Sequence, residues 1–475
     1  MNNIRLGLTF ADVLLVPRKT PLHSRSEADV KSRFTKNILL NIPLVSANMA
    51  TVTESRMAIA MAREGGLGVI HQFNTIEEQV EEVRKVKKST SFVVDNPVSV
   101  QKDTLLGEAL QLMQKENVTS VIVMDKEEIA GILTSRDYLF ETDLRRKVAD
   151  MMTPREKLIT GEYGMTLAEA KKLLNKNKIE KLPLLKNGKL HGLITNQDIL
   201  KIEHWKNACR DEKGRLLVGG AVGVKDTLER AKALLHVGCD VLVLDVAHAH
   251  SDLAITQLKE LKKNFSVDVM VGNIATAEAA ADLIAAGADG LKVGIGPSPV
   301  CTTRLISGAG IPQLTAIMDV AAVAKKHDIP VCADGGMKYP GDITKAIAAG
   351  ASSAFSGSLF AATDESPGFI IMKDGKRYKR YMGSASYDSG HERKELAEGR
   401  RLKSKLDIFV EGISVLMDYK GPVEEIIHSL LKGLRSGISY CGARNITELQ
   451  ETAEFIQITQ AAWEESRAHG VKLSE

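Results

Sequence analysis

The chain has 475 residues, 44% hydrophobic and 26% charged, and 63 Lys+Arg against 60 Asp+Glu leave a formal charge of only +3. That length allows two to four domains of roughly 150 residues each, and the balance of charge gives nucleic acid no general attraction to the chain. Apolar runs fall far short of the ~18 to 20 residues that cross a membrane, no basic-then-apolar leader opens the chain, and five cysteines without clustered spacing suit a reducing compartment, so a cytoplasmic protein is expected.

In chain order, apolar runs at Ile42–Met49 and Leu67–His71 are each followed by helical patterns, near Thr53–Arg63 and Ile76–Val86. After a break the rhythm resumes with Leu216–Val222, Val241–Asp245, Val269–Asn273, Leu291–Ile295, Ile329–Ala333 and Ser352–Gly357. These runs are rich in Val, Ile and Ala, as strands buried on both faces must be, and Ala-rich segments such as Thr276–Ala286 follow them. Alternation of strand and helix requires parallel pairing through right-handed crossovers. Two runs plus six make eight, which closes a (β/α)8 TIM barrel; an open doubly wound sheet is the competing arrangement, but it has no reason to stop at eight.

The break, about Val93 to Ile202, holds an internal repeat. Glu108-Ala109 returns as Glu169-Ala170, Gly131-Ile132-Leu133-Thr134 as Gly192-Leu193-Ile194-Thr195, and Asp137 as Asp198, always 61 residues on. Each copy reads helix, strand, turn, strand, helix. Thr134 with Asp137, and Thr195 with Asp198, cap the last helix and are also placed to bind a ribose hydroxyl. The pair resembles a tandem of CBS modules, which implies a sensor of nucleotides such as ATP or GTP. The expected domains are barrel 1–92, repeats 93–146 and 147–204, and barrel 205–475, the last including a flap over 378–418.

A barrel of this kind works at the C-terminal ends of its strands, and there the unusual residues gather. Gly294-Ile295-Gly296-Pro297-Ser298-Pro299-Val300-Cys301-Thr302-Thr303-Arg304 follows the sixth run and sets a thiol among hydroxyls and a guanidinium. A thiolate is the effective nucleophile and nearby positive charge favours it, so Cys301 is the candidate nucleophile. Cys239 and Cys332 lie within apolar patterns and read as inert. Asp334-Gly335-Gly336 and Ser356-Gly357-Ser358 follow the seventh and eighth runs, the usual phosphate position in barrels, where glycine lets an anion approach backbone N–H groups. Asp245 and Asn273 end their strands and are placed to orient a substrate hydroxyl or a nicotinamide amide. His248 and His250 lack a third ligand, which argues against a metal there. In the flap, Glu392 to Lys405 is densely charged and reads as a solvated or mobile cover, while Glu411 is an acid able to accept the N1–H of an oxopurine.

Together these motifs resemble the IMP dehydrogenase / GMP reductase family over essentially the whole chain: Gly-Ile-Gly-Pro…Cys-Thr-Thr-Arg at 294–304, Ala-Asp-Gly-Gly at 333–336, Gly-Ser at 357–358, Met-Gly-Ser at 382–384 and Gly-Leu-Arg-Ser at 433–436. The resemblance implies a purine nucleotide 5′-monophosphate, GMP or IMP, attacked at C2 by Cys301 with help from Thr303. It implies Asp334 on the ribose, and Gly336, Gly357 and Ser358 on the phosphate. Asn48, Tyr381, Met382, Gly383, Glu411 and Gly412 would line the substrate pocket. Asp245, Asn273, Gly294 and Gly296 would meet a nicotinamide cofactor, NADPH for a reductase or NAD+ for a dehydrogenase. A potassium ion near Gly296 and Cys301, and homotetramers or octamers, are further family properties.

The two reactions make different demands. A dehydrogenase must hydrolyse its thioimidate, which requires an activated water, and family dehydrogenases use an Arg-Tyr pair in the flap. Here Arg377-Tyr378 and Arg380-Tyr381 precede Met382, and the flap offers Arg393-Lys394 or Arg400. Ser46-Ala47-Asn48-Met49 and Asp245-Val246-Ala247 resemble reductases, as does Glu-Gly-Ile-Ser at 411–414 of CBS-bearing members. Against this, Ala385 and Gln72 stand where reductases carry glutamate and lysine, Pro299 replaces a phosphate-contacting serine, and Tyr440-Cys441-Gly442-Ala443 looks dehydrogenase-like. Glu465-Ser466-Arg467-Ala468-His469 matches the potassium pattern only in part. The expectation is an NADPH-dependent GMP reductase, with IMP dehydrogenase and a silent nucleotide sensor as alternatives.

Overall fold

The computed structural model describes residues 4–89, 93–95, 97–116, 118–384 and 411–467. They divide into two compact units, 1–89 with 207–211 and 216–475, and 90–206 with 212–215.

The first unit is a closed parallel barrel of eight strands: β1 Leu44–Ser46, β2 Leu67–Ile70, β3 Gly219–Val222, β4 Val241–Asp245, β5 Asp268–Ile274, β6 Gly290–Val293, β7 Val331–Asp334 and β8 Ser353–Ser356. Closure comes from β8 against β1, with Phe355 opposite Val45 and Ser356 opposite Ser46. The expected (β/α)8 architecture is present. Almost every strand residue is buried because alternate side chains serve two apolar layers. Val45, Val69, Val241, Val243, Met270, Cys332 and Phe355 fill the interior. Leu44, Leu242, Leu244, Val271, Val331 and Ala354 face outward onto the helices.

Helix ends follow ordinary capping chemistry. The helix Ala277–Ala285 begins with the Thr276 hydroxyl accepting from the Ala279 N–H, and Asp252–Asn264 begins with Ser251 accepting from Ala254. The helix Ser55–Glu64 stops at Gly65, whose φ of 100° suits glycine and few other residues. It packs so closely on β2 that a Cβ at Gly68 would sit 2.4 Å from the Ala58 Cα.

The strands are shorter than the apolar runs that announced them. The run Leu216–Val222 contributes only its last four residues to β3, since Leu217 belongs to the interior cluster with Phe34, Leu40 and Cys209, ahead of the strand. Likewise Ile42–Met49 yields only Leu44–Ser46. Pro43 has no N–H for a ladder, and the Met49 N–H turns back to the Ala47 carbonyl at 2.8 Å.

The second unit contains two four-stranded sheets. One orders Thr153–Pro154, Glu128–Thr134, Ser120–Asp125 and Ser99–Gln101; the other Gly161–Glu162, Lys181–Lys186, Lys189–Thr195 and Val94–Asp95. The central hairpins, 120–134 and 181–195, repeat at the offset of the sequence motifs. Each sheet takes an edge strand from beyond its own copy, Thr153–Pro154 joining the first and Val94–Asp95 the second. Among the described residues no helix is long and apolar enough to cross a membrane.

Candidate active site

Cys301 lies in the loop after β6, partly exposed, whereas Cys209, Cys239, Cys332 and Cys441 are buried. Burial pushes the thiols of Cys239 and Cys332 up to about 12 and that of Cys209 to about 11. None of those three carries useful thiolate at neutral pH, which accords with reading Cys239 and Cys332 as inert.

The cysteine loop is stitched to the segment that emerges from the flap. Cys301 and Gly412 form an isolated antiparallel bridge, the Thr302 N–H donates to the Glu411 carbonyl at 2.8 Å, and the Ile413 N–H to the Val300 carbonyl at 3.0 Å. Gly383 completes the stitch through its N–H to the Ile413 carbonyl at 3.0 Å, and a Cβ there would lie 2.7 Å from the Val300 carbonyl oxygen. Tyr381 to Gly383 arrive on the strand Lys376–Met382, paired antiparallel with Ser414–Asp418. The Met382 N–H donates to the Thr51 hydroxyl at 3.1 Å.

This pairing produces a short polar line. The Cys301 Sγ is 3.2 Å from the Thr303 Oγ1, and the Thr303 hydroxyl donates to the Glu411 Oε2 at 2.7 Å. A thiol, a hydroxyl and a carboxylate in contact can pass a proton along the line. Arg304 sits behind the loop. Its Nε donates to the Ile295 carbonyl at 2.9 Å and its guanidinium to the Ile311 carbonyl at 2.6 Å. Burial lowers its pKa while Cys301 opposes that shift, so the arginine contributes to the field at the sulfur.

Beneath the loop runs a network that sequence reasoning missed at its centre. Lys292 is the inward-facing residue of β6, 1% exposed. Its Nζ lies 2.8 Å from both the Asp245 and Asp334 carboxylates, donates to the Asn273 Oδ1, and rests 5.2 Å from the Phe355 ring centroid. Desolvation pulls its pKa down, but the two carboxylates more than reverse this and the net shift is upward. Asn273 donates to Asp334 at 2.9 Å and to the Gly294 carbonyl at 2.5 Å, Asn48 to Asp245 at 2.9 Å, and the Gln72 side-chain amide to the Asp245 carbonyl at 3.1 Å. Asp245, Asn273 and Asp334 are therefore brought together on one buried cation, with Asn48 joined to it through Asp245. A lone lysine within the apolar run Leu291–Ile295 was the available signal.

The loops after β7 and β8 carry the glycines and serines proposed from the sequence to cradle a phosphate. Gly335 and Gly336 both have φ near 80°, and the backbone amides of Gly336, Gly357 and Ser358 make no hydrogen bond among the described residues. Free N–H groups on adjacent glycine-bearing loops suit an anion. A Cβ at Gly357 would come within 2.6 Å of the Tyr381 Oη. That phenol is 1% exposed, and burial pushes its pKa up to about 12, so it remains a donor at neutral pH.

The fit to a nicotinamide group is mixed. The Asp245 and Asp334 side chains keep 17% and 21% exposure, enough for each to accept from a ligand's carboxamide or hydroxyl. Gly294 and Gly296 are required by the protein itself. A Cβ on Gly294 would fall 2.2 Å from the Asp334 carbonyl oxygen, and one on Gly296 would strike the Arg304 side chain. His250 bonds the Asp282 carboxylate at 2.8 Å, with its ring 6.3 Å from that of His248. Thr134 has its capping role, its N–H and hydroxyl both reaching the Asp137 carboxylate, at 2.7 and 2.9 Å. The helix Asn196–His204 follows Thr195 directly. Ala385, Glu392–Lys405 with Arg393, Lys394 and Arg400, Ala468 and His469 lie outside the described residues, as does the side chain of Asp198.

A family model described as "IMP dehydrogenase / GMP reductase domain" matches residues 7–469. The chain is 50% identical to the inosine-5′-monophosphate dehydrogenase of Aquifex aeolicus, covering 99% of this chain and 97% of that one. It is 44% identical to the GMP reductase of Leishmania donovani, covering 98% and 97%. Its fold matches the crystal structure of a Trypanosoma brucei GMP reductase, a cysteine-to-alanine variant, in complex with guanosine 5′-monophosphate, with TM-score 0.89, 41% identity and 99% coverage of both chains.

Proposed function

The chain belongs to the IMP dehydrogenase / GMP reductase family of oxidoreductases, and on that footing we propose that it converts GMP to IMP with release of ammonia, using NADPH. The observation that carries the chemistry is the contact line Cys301–Thr303–Glu411; the direction rests on the lack of an Arg-Tyr pair after Met382. The Cys301 thiolate adds to C2 of the purine. Expulsion of the C2 amine requires a proton on its nitrogen, and Glu411, protonated through Thr303 by the Cys301 thiol as the thiolate forms, returns that proton along the same line. The C–N bond breaks, ammonia leaves, and a thioimidate joins Sγ to C2. The nicotinamide supplies a hydride to that carbon when bound. The C–S bond then breaks and the thiolate is restored. No step calls for an activated water, which agrees with the lack of an Arg-Tyr pair after Met382 in the sequence.

The chain's own residues divide the remaining work. Gly336, Gly357 and Ser358 present N–H groups to the 5′-phosphate, Asp334 accepts from the ribose, and Tyr381, Met382, Gly383 and Gly412 wall the pocket, with Asn48 below. Asp245 and Asn273 meet the nicotinamide side, with Gly294 and Gly296 shaping the adjoining loop. The repeats 93–146 and 147–204 are assigned as CBS modules that bind adenine or guanine nucleotides, with Thr134, Asp137, Thr195 and Asp198 near the ribose, and the barrels as assembling into homotetramers.

Oxidation of IMP with NAD+ is a second reading, favoured by the dehydrogenase name of the Aquifex relative at 50% identity. The same line run in reverse takes a proton from water, so Thr303 and Glu411 serve either direction. A paired spectrophotometric assay decides. NADPH consumption and ammonia release on adding GMP are expected; NADH formation from IMP with GMP inert would replace the reductase reading.

A further inference from the structure

The segment between the strand Ser414–Asp418 and the helix Val423–Tyr440 carries a cation that no step above employs. The Lys420 N–H donates to the Ala362 carbonyl at 2.9 Å, and the neighbouring Gly421 carbonyl accepts from Asp364 at 2.9 Å, which locks the residue beside the turn that follows β8. Its ammonium points into that turn and donates to the carbonyls of Ser358 at 2.5 Å and Leu359 at 3.1 Å. Among the described residues no carboxylate pairs with it. Asp364 accepts from the Tyr419 hydroxyl at 2.6 Å, Glu365 from the Val423 N–H at 2.9 Å, and Arg377 stacks over the Tyr419 ring at 4.4 Å.

A half-buried ammonium with only carbonyl dipoles around it lacks a counter-charge. Burial accordingly draws the Lys420 pKa down to about 8. The carbonyls it holds belong to the turn whose amides are the free donors of the cradle. The Gly357 carbonyl is taken by the N–H groups of Phe360 and Ala361 at 3.2 and 2.8 Å, and that of Ser358 by Lys420. In a trans peptide the amide points opposite to the carbonyl it follows, so the Gly357 carbonyl, held by Phe360 and Ala361, aims the free Ser358 N–H, while Lys420 anchors the next two carbonyls of the turn and the Leu359 N–H donates to the Ser356 hydroxyl at 3.2 Å. Pro299 offers no hydroxyl, which leaves the cradle more dependent on this turn.

We propose that Lys420 is a positioning residue of the phosphate cradle, anchoring the turn that carries Ser358 through the Ser358 and Leu359 carbonyls. The proposal rests on the reading of this pocket as a purine nucleotide 5′-monophosphate site.

The test is calorimetric affinity for GMP, IMP, guanosine and inosine in wild type, Lys420→Met and Lys420→Arg, together with kcat and KM. Loss of the charged anchor of the cradle turn weakens both monophosphates about 10- to 100-fold, while nucleoside affinity and kcat stay unchanged and Lys420→Arg restores most of the loss. An ammonium with a lowered pKa loses its charge as pH rises, so wild-type affinity for monophosphates falls as pH passes through about 8, and Lys420→Arg stays flat. Should Lys420→Met fail to fold, that contrast between the wild-type and Lys420→Arg profiles decides alone. Unchanged monophosphate affinity in Lys420→Met, or equal losses for nucleotide and nucleoside, overturns the proposal. Phosphate-dependent binding without turnover ends the assigned reaction and leaves Lys420 in place; a wild type that binds none of the four compounds ends both.

Discussion

At the scale of single residues, the chemistry concentrates in three side chains from two distant segments. Cys301→Ala removes the only partly exposed thiol among the five cysteines and is expected to abolish turnover while nucleotide affinity persists, as calorimetry and a rate assay together would register. Thr303→Val and Glu411→Gln interrupt the proton line at successive links, and each is expected to lower kcat about 10²- to 10⁴-fold with little change in KM. If Glu411→Gln kept full activity, the carboxylate would be an anchor for Thr303 and not a proton carrier. Cys301 was legible because hydroxyls, glycines and an arginine surround it in a loop after a strand. Glu411 was legible as an acid reaching the pocket, but its bond to Thr303 was not, since residues 108 positions apart meet through backbone pairing around Cys301 and Gly412.

At the scale of elements, strand ends are joined by one buried cation. β4, β5 and β7 contribute Asp245, Asn273 and Asp334, and β6 contributes Lys292 to bind them. Lys292→Met leaves two carboxylates facing each other without their counter-charge, which is expected to destabilise the barrel by about 3 to 5 kcal/mol. Urea denaturation would show it as a lowered midpoint, and loss of less than about 1 kcal/mol, the worth of an exposed pair, would mean the network relaxes. The eight strands were legible because two-sided burial writes continuous apolar runs. Their ends were not, because a residue plugging the barrel below β3, such as Leu217, is as apolar as one inside the strand. Lys292 was passed over for a related reason: whether a strand position points into the barrel depends on closure, which periodicity alone does not reveal.

At the scale of the whole molecule, the chain holds two units with hydrophobic clusters of their own, Leu106, Val121 and Leu133 packing a helix on one sheet of the inserted unit and Leu174, Leu182 and Ile194 doing so on the other. Replacing residues 93–204 by a flexible linker of about 10 residues is expected to leave a folded barrel with turnover preserved and any response to ATP or GTP lost. An insoluble or inactive product would show that the barrel needs its insert. The repeat was visible in the sequence because both copies keep the same spacing; the exchange of edge strands between copies was hidden, because two-residue strands such as Val94–Asp95 carry no periodic signal.

Pairing of β1 with β8 also sets a timetable. A nascent chain emerging from the ribosome exposes the first strand's N–H and C=O groups long before residue 353 is synthesised, and with the whole insert translated in between. Until then β1 and β2 present open edges to any other strand in reach, the condition under which chains join one another instead of themselves. The insert's hairpins, by contrast, close among near neighbours in sequence and need not wait. Biogenesis of this barrel is thus most exposed over the stretch of translation in which its chemistry-bearing loops are being made.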